Sequence, residues 1–479
     1  MTIQLKSLES KTVSISEDAV VELGASLRGR VARDGDADYD EARTIWNAMV
    51  DRHPGLVIRA LGASDVQQAV NFARDNGLLM SIRSGGHQIA GHAIAEGALL
   101  LDLSRMRSVR VDAATKTAWV EPGATLGDID KESTVYGLAL PTGINSTTGI
   151  AGLALGGGFG WITRKCGMTI DSLLSADVVT ADGKRRRASA TENPDLFWAI
   201  RGGGGNFGVV TAFEFKLHEI GPQVLSGLIV HPYAEAPKLL REYRRIVAAA
   251  GENLTVWTVL RKAPPLPFLP EQWHGKEVFV FAVCYAGDIA EGERALAELR
   301  AVGKPIADVI GPTPFAGWQA AFDPLLTPGA RNYWKSHDFL TLSDEVIEIL
   351  SGALKSSPGP DCEIFVAQVG GAMARVRADA TAYPQRASHF IMNIHTRWND
   401  ASQDAACKRW AREMFDKLAR HATGSVYVNF MPDDEADRVS GAYGANMARL
   451  ADVKAKYDPM NLFRLNHNIT PARVMQAAQ

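Results

Sequence analysis

The chain is poor in cysteine, has no long uncharged apolar run and carries no dominant charge, and each shortage removes a class of protein. Its four cysteines, Cys166, Cys284, Cys362 and Cys407, stand far apart without CxxC spacing in 479 residues. That argues against both a disulfide framework and a cysteine-rich zinc site, and nothing else indicates a metal. No stretch is long and apolar enough for a bilayer, and residues 1–20 lack the apolar centre and small-residue cleavage site of a secretory signal. A cytoplasmic protein without a membrane partner is therefore expected. The formal net charge of -3 leaves no electrostatic footprint for nucleic acid. The one basic cluster, Lys184–Arg187, follows Ala181-Asp182-Gly183 and reads as a solvated hairpin arm. Internal repeats are absent, and no early strand–GxGxxG–helix unit is followed by a spaced acid, which argues against a nicotinamide dehydrogenase.

What the chain does have is glycine, gathered in the first half into three loops. The first, RSGGHQIAGH over 83–92, follows an apolar run, Leu78–Ile82, that reads as a buried strand. Glycine lets bare main chain approach a ligand, so successive N–H groups of Gly85, Gly86 and Gly91 can turn toward an anion such as a pyrophosphate, with Arg83 adding charge. Between them stands His87, a nucleophilic imidazole in an unusual place for a structural histidine. An isolated SGGH would be no more than a turn with a solvated histidine. A second loop, PTGINSTTGIAGLALGGGFGW over 141–161, and a third, RGGGGNFGVV over 201–210, point instead to one long ligand lying across several strand ends.

Length alone predicts two domains. Residues 36–50 read as an amphipathic helix. Leu56–Ala60 reads as a strand, followed by a helix capped by Ser64 and Asp65 with Val66, Ala69, Val70 and Ala73 on its apolar face. With the strand before RSGGH this suggests a parallel pair joined by a crossover. Leu99–Asp102 is a short strand, Thr125–Tyr136 a helix, and 109–111 with 117–120 and 177–180 with 185–188 are hairpins. Phe213, Phe215 and Leu217 alternate in a further strand. After Gly221-Pro222 the glycine loops cease, and helices at 233–249 and 291–302 alternate with strands at 278–284, 363–369, 390–396 and 425–430. Ala263–Pro270, APPLPFLP, is a proline-rich loop. Gly444–Lys456 is a helix ended by Asp458-Pro459. If the tail NLFRLNHNI is extended, Asn466 and Asn468 share one side and could pair with a ring bearing donors and acceptors, or lie in solvent.

RSGGH, GGGFGW, DLFWAIRGGGGNFGVVT (195–211) and YDPMNLFRLNHNI (457–469) together resemble the FAD-linked oxidases of the berberine bridge enzyme type, within the vanillyl-alcohol oxidase superfamily. The resemblance spans nearly the whole chain, with the motifs in family order. It implies an α+β fold: a PCMH-type FAD-binding domain of two subdomains over 1–221 (core about 50–221), a substrate domain over 222–440 whose antiparallel sheet, flanked by helices, covers the flavin, and a C-terminal segment over 441–479 returning to the FAD domain. It also implies a covalent bond from His87 to the 8α carbon of FAD. Mapped on the motifs, the cofactor contacts are Arg83, Ser84, Gly85, Gly86, His87, Gly91 and His92 from the first loop. The second loop supplies Thr142, Gly143, Thr148, Gly149, Gly152, Gly156, Gly157, Phe159 and Gly160. Val209 comes from the third loop, and Asn466 and Asn468 from the tail.

Many relatives add a second link from a cysteine whose position here falls on Asn145, so a single link is expected, and Cys166 is not expected to join it. Single linkage is similar to a nicotine-oxidising member of the family, whereas its carbohydrate oxidases commonly use both. The resemblance implies hydride transfer from an alcohol or amine carbon of a small organic substrate to flavin N5, then reoxidation by dioxygen to hydrogen peroxide. A dehydrogenase with another acceptor, an oligosaccharide oxidase, and a flavin protein with a decayed site are the alternatives; monomer and homodimer both remain open.

For the base, Tyr427 matches the family's Y-x-N pattern and needs a pKa well below its ordinary value of about 10. His395 matches a strand position that carries polar active-site residues in relatives, and an imidazole is a general base suited to neutral pH. Phe159 stands where relatives often have tyrosine. Asn429 shares the face of Tyr427 if 425–430 is a strand. Trp334, Lys335 and His337 resemble a stretch near the domain interface, and Trp257, Phe279 and Phe281 are expected to pack the second sheet.

Overall fold

The computed structural model describes residues 2–472, so Met1 and the 473–479 end of the expected C-terminal segment lie outside it. Strands β1 (Arg30–Ala32), β2 (Leu56–Arg59), β3 (Met80–Arg83) and β4 (Leu99–Asp102) form one sheet in the order β1-β2-β4-β3. The expected strand–helix–strand unit exists, but its strands are not neighbours: β4 lies between β2 and β3, parallel to both. All four residues of β4, LLLD, are buried, as a central parallel strand requires. The intervening helix α1 (Ala63–Asp75) buries Val66, Ala69, Val70 and Ala73 as its spacing predicts. Its cap differs from the expectation. Gly62 is the capping residue, and Asp65 turns back to accept from the backbone N–H groups of Arg28 (2.9 Å), Gly29 (2.9 Å) and Leu61 (2.8 Å), tying the preceding chain to the helix start.

A second sheet is antiparallel, with β5 (Val109–Asp112), β6 (Thr117–Val120), β7 (Leu173–Val179), β8 (Arg185–Ser189) and β9 (Val209–Lys216) in the order β8-β7-β9-β6-β5. Both expected hairpins are in it.

The third sheet has eight strands and is antiparallel throughout. Its main path is β13-β10-β12-β11-β15-β16-β14, from β10 (Gln223–Pro232), β11 (Leu254–Lys262), β12 (Glu277–Tyr285), β13 (Ala307–Asp308), β14 (Arg331–Phe339), β15 (Glu363–Gln368) and β16 (Phe390–Trp398). Side chains alternate between its faces. One face, with Ile229, Val256, Phe279, Phe281, Val366 and Met392, is sealed by helices α2 (Ala236–Ala249), α3 (Ile289–Arg300), α4 (Asp344–Gly352) and α5 (Asp404–Ala419). The other face looks back at the glycine loops. The architecture is α+β, and among the described residues no helix is long and apolar enough to cross a membrane.

Three further local expectations fail, each because tertiary contacts take over the backbone. Only Tyr39–Arg43 of residues 36–50 is helical. Beyond it the chain straightens as Trp46 Nε1 donates to Leu326 O (3.0 Å) and Asn47 Nδ2 to Asn332 O (3.0 Å). Residues 425–430 are not a strand but end in a 3₁₀ turn, Val428–Phe430, which brings the rings of Tyr427 and Phe430 to 4.9 Å. The tail after Asp458 is irregular rather than extended.

That tail is held by a buried charge pair. Helix α6 (Met447–Tyr457), preceded by a 3₁₀ turn at Gly444–Asn446, carries Lys454 with its Nζ wholly enclosed. Lys454 donates to Asp458 Oδ2 (2.7 Å), Phe463 O (2.9 Å) and Asn206 O (2.7 Å) in the third glycine loop. Asp458 also accepts from the N–H groups of Leu462 (2.7 Å) and Phe463 (2.8 Å). Removing one partner strands the other charge in the core, so Lys454→Met is expected to cost about 3–5 kcal/mol, read as a lower Tm in thermal denaturation.

Candidate functional site

One continuous cavity runs between the three glycine loops, the C-terminal tail and the open face of the eight-stranded sheet. The first two loops touch main chain to main chain. A Cβ on Gly85 would lie 2.5 Å from Gly149 N, so neither position admits a side chain. Gly86 follows with φ +63°, and the backbone then presents His87 to the cavity. The His87 ring is stacked on Trp46 at 4.4 Å, with Trp46 edge-on to Trp334 at 5.7 Å and Trp334 edge-on to His395 at 4.7 Å. His87 Nε2 is buried without a hydrogen-bond partner among the described residues. Burial, with smaller contributions from His395 and Arg397, pushes the imidazole down to about 4, so it is neutral, with a lone pair, at neutral pH.

The same wall carries more polar atoms without a partner among the described residues: His92 Nδ1, His467 Nε2 and Asn466 Oδ1. His92 and His467 meet edge-on at 5.1 Å, and burial pushes them to about 4 and about 3. Gly152 and Gly205 line the cavity where a Cβ would meet nothing within 4 Å. Buried donors and acceptors are normally paired. A wall of unpaired ones beside open glycine loops therefore fits a large cofactor with a heteroaromatic ring and phosphates, held through main-chain N–H groups and neutral side chains.

Of the residues marked from sequence, Ser84, Gly85, Gly86, His87, His92, Gly143, Thr148, Gly149, Gly152, Phe159, Val209, His395, Tyr427 and Asn466 line the cavity. Arg83, Gly91, Thr142, Gly156, Gly157, Gly160 and Asn468 do not. Arg83 is not a free charge on the loop, since its Nη1 is bound to Asp102 (3.1 Å), which also pairs with buried Arg59 (3.1 Å). Gly91 packs on Val50, Gly156 on Asn429 and Gly160 on Thr142 O, and Gly157 lies among Met168, Tyr427 and Tyr383. These glycines serve close packing. Cys166 lies outside the cavity lining, and burial pushes its thiol up to about 11. Asn145 does line it, but its Oδ1 accepts from Thr147 N (3.0 Å) and Oγ1 (2.7 Å).

Thr142 belongs to a small buried network instead. Gln319 Nε2 donates to Thr142 Oγ1 (2.9 Å) and Gly143 O (3.2 Å) and faces Asp130 Oδ2 (3.5 Å). Burial, opposed by Gln319 and reinforced by Asp323, pushes the Asp130 carboxyl up to about 7. Its favourable contribution is present below the ordinary carboxylate range and is lost as pH rises through about 7. Asp130→Asn is therefore expected to raise Tm at pH 8 and change it little at pH 4, in a pair of thermal scans.

The open sheet face supplies the charged groups. Register sets Arg261 opposite Val278, Glu363 opposite His395 and His395 opposite Trp334 on adjacent strands. Arg261 Nη1 donates to Glu363 Oε2 (2.7 Å), and His395 Nδ1 lies 3.3 Å from Glu363 Oε1. His395 Nε2 lies 3.3 Å from Asn332 Oδ1, so a proton taken onto the ring finds an acceptor on either side. Burial alone would raise the Glu363 carboxyl, but Arg261 and then His395 bring it below the usual range. Fully buried Asn393 lines the cavity, and neither of its amide atoms has a partner among the described residues.

Tyr427 contradicts the condition set for it as a base. Its Oη accepts from Gly158 N (3.0 Å) and Asn429 Nδ2 (2.9 Å), yet burial outweighs both and pushes the phenol up to about 12. It is a protonated hydroxyl near neutral pH. Asn429 is its neighbour through the 3₁₀ turn, not through strand alternation. Lys335 and His337 point to the helix side, to Glu435 and Phe415 O, whereas Trp334 and Trp257 line the cavity. Arg261, Glu363, Asn393 and Trp46 escaped the sequence reading. Period-two alternation in 363–369 would have set Glu363 and Phe365 on one face, but the facing strand could not be known.

Two family models match the chain: "FAD binding domain" over residues 54–189 and "Berberine and berberine like" over residues 426–470. An uncharacterised FAD-linked oxidoreductase of Bacillus subtilis is 31% identical over 457 residues, covering 93% of this chain and 98% of that protein. The (R)-6-hydroxynicotine oxidase of Paenarthrobacter nicotinovorans is 30% identical over 470 residues, covering 93% and 97%. Among solved structures, 6-hydroxy-D-nicotine oxidase from Arthrobacter nicotinovorans superposes with a TM-score of 0.83 at 30% identity over 93% of this chain and 98% of that one. A chitooligosaccharide oxidase superposes with a TM-score of 0.82 at 25% identity, covering 95% and 99%.

Proposed function

The chain belongs to the berberine bridge enzyme-like FAD-linked oxidoreductases, and from that premise we propose that it is an oxidase of an alcohol or amine carbon in a small organic substrate. The observation that carries the reading is the cavity itself, which is lined jointly by the glycine loops, the unpartnered polar wall and the Glu363–His395 pair. When bound, FAD supplies the hydride acceptor and the electron store that dioxygen then empties to give hydrogen peroxide. His87 would carry the single covalent attachment, helped by its neutral imidazole and by the Trp46 ring that fixes its plane. His467, Asn466 and the main chain of residues 84–86 and 204–206 would hold the rest of the cofactor.

His395 takes the heteroatom proton of an alcohol substrate. Glu363, anchored by Arg261, orients the imidazole and faces the proton it gains. Tyr427 keeps its proton, and Phe159 packs edge-on against it at 4.9 Å. Tyr427→Phe leaves Gly158 N–H without its acceptor and is expected to lower kcat by about tenfold, the cost of one buried hydrogen bond, without shifting the pH profile of kcat/KM.

The test is anaerobic mixing of the yellow protein with panels of alcohols and amines, followed by admission of air. Bleaching by a substrate followed by stoichiometric peroxide supports the oxidase. Bleaching without peroxide, and reoxidation only by a quinone or protein acceptor, would make it a dehydrogenase. No bleaching by any member would leave a flavin protein without this chemistry.

A further inference from the structure

The sheet face over the cavity changes character from one edge to the other. β16 and β15 present Asn393, His395 and Glu363, and β11 presents Arg261. Beyond Arg261 the face turns wholly apolar, with Val259 on β11, Val278 and Val280 on β12, and Val230 on β10, brought together by register. The proline-rich loop 263–270 closes the other side of this annex with Leu266 and Leu269. Two strand spacings separate β11 from β10, which makes the annex about 10 Å long. It is continuous with the space beside His87. Its six lining side chains contain no hydrogen-bonding atom, so a sugar ring lying there would bury hydroxyls without partners.

Arg261 stands at the mouth. Its Nη1 binds Glu363 and its Nε binds Lys262 O (3.1 Å), while Nη2 has no protein partner among the described residues. A guanidinium with one unused edge at the start of an apolar slot suits an oxygen acceptor followed by hydrocarbon.

Building on the flavoenzyme reading above, we propose that the substrate is amphipathic, with an extended alkyl or aryl arm in this annex and a carbonyl, carboxylate or phenolic oxygen on Arg261. The proline-rich loop is then a specificity element, and the oligosaccharides used by some relatives are excluded from this chain's site.

The experiment uses the flavin-loaded enzyme and n-alkyl 4-hydroxybenzoates from methyl to hexyl, with Kd read from the perturbation of the flavin absorbance. Binding is expected to tighten by up to about fourfold for each added methylene. Val280→Trp fills the annex and is expected to flatten the series while leaving the methyl ester's Kd within about twofold of the parent enzyme, since that ester does not reach the annex. Val230→Phe serves the same purpose if the first variant does not fold. Arg261→Met is expected to weaken every ester by a similar factor, about tenfold for a lost charge-assisted hydrogen bond, and to leave the gain per methylene unchanged. A yellow enzyme whose Kd does not depend on chain length, or a Val280→Trp or Val230→Phe enzyme that keeps the full gain per methylene, would overturn the inference and leave the flavoenzyme reading standing. A protein that takes up no FAD would overturn both.

Discussion

Acid-precipitated His87→Ala protein is expected to release all of its flavin to the supernatant, whereas the parent protein keeps its colour in the pellet. The expectation rests on three properties of one side chain. Its Nε2 is buried without a partner, its ring plane is fixed by Trp46 at 4.4 Å, and burial holds it down to about 4. A neutral imidazole has the lone pair that bond formation requires, and an unpartnered nitrogen has no hydrogen bond to break first. Cys166→Ala should keep a yellow pellet, because that thiol stands outside the cavity and burial keeps it protonated. Colour retained in His87→Ala and lost in Cys166→Ala would reverse the assignment. Colour in the supernatant of the parent protein would leave FAD bound but not bonded.

The second large effect is expected at the charged pair over the cavity. If His395 accepts the substrate proton, His395→Ala should lower kcat on an alcohol by about 10²–10⁴-fold, the usual range for a general base. Glu363→Gln should cost less and do something a packing defect would not: it should move the acidic limb of the kcat/KM profile to lower pH, because the protonated ring loses its carboxylate partner. Steady-state kinetics between pH 5 and pH 9 on one alcohol, with flavin content measured in each variant, tests both. A His395→Ala enzyme with full kcat would remove the residue from the chemistry. Equal losses in the two variants with no movement of the limb would reduce Glu363 to a packing role.

Local chemistry was legible wherever a motif carries its own constraint. The SGGH loop needs a glycine at Gly85 because it lies against Gly149. The hairpin at Asp182-Gly183 and the helix ended by Asp458-Pro459 are as their residues dictate. The expected glycine contacts divide, however. Gly85, Gly86, Gly149 and Gly152 border the cavity, while Gly91, Gly156, Gly157 and Gly160 let one segment pack closely on another. A glycine leaves the same mark on a sequence in either role, and only the neighbour distinguishes them.

In the sequence by itself the class of protein and its FAD cofactor were legible through motifs that resemble one family, and His87 stood out as a candidate, because glycine loops confine their chemistry to a few consecutive residues. Tertiary structure alone decided what stands opposite. Arg261, Glu363 and His395 come from three strands more than a hundred residues apart at the extremes, joined by register. The ionisation of Tyr427 was likewise settled by burial and not by its motif. Register and burial are properties of the assembled sheet, where the partner of each side chain is chosen by segments that no local pattern connects.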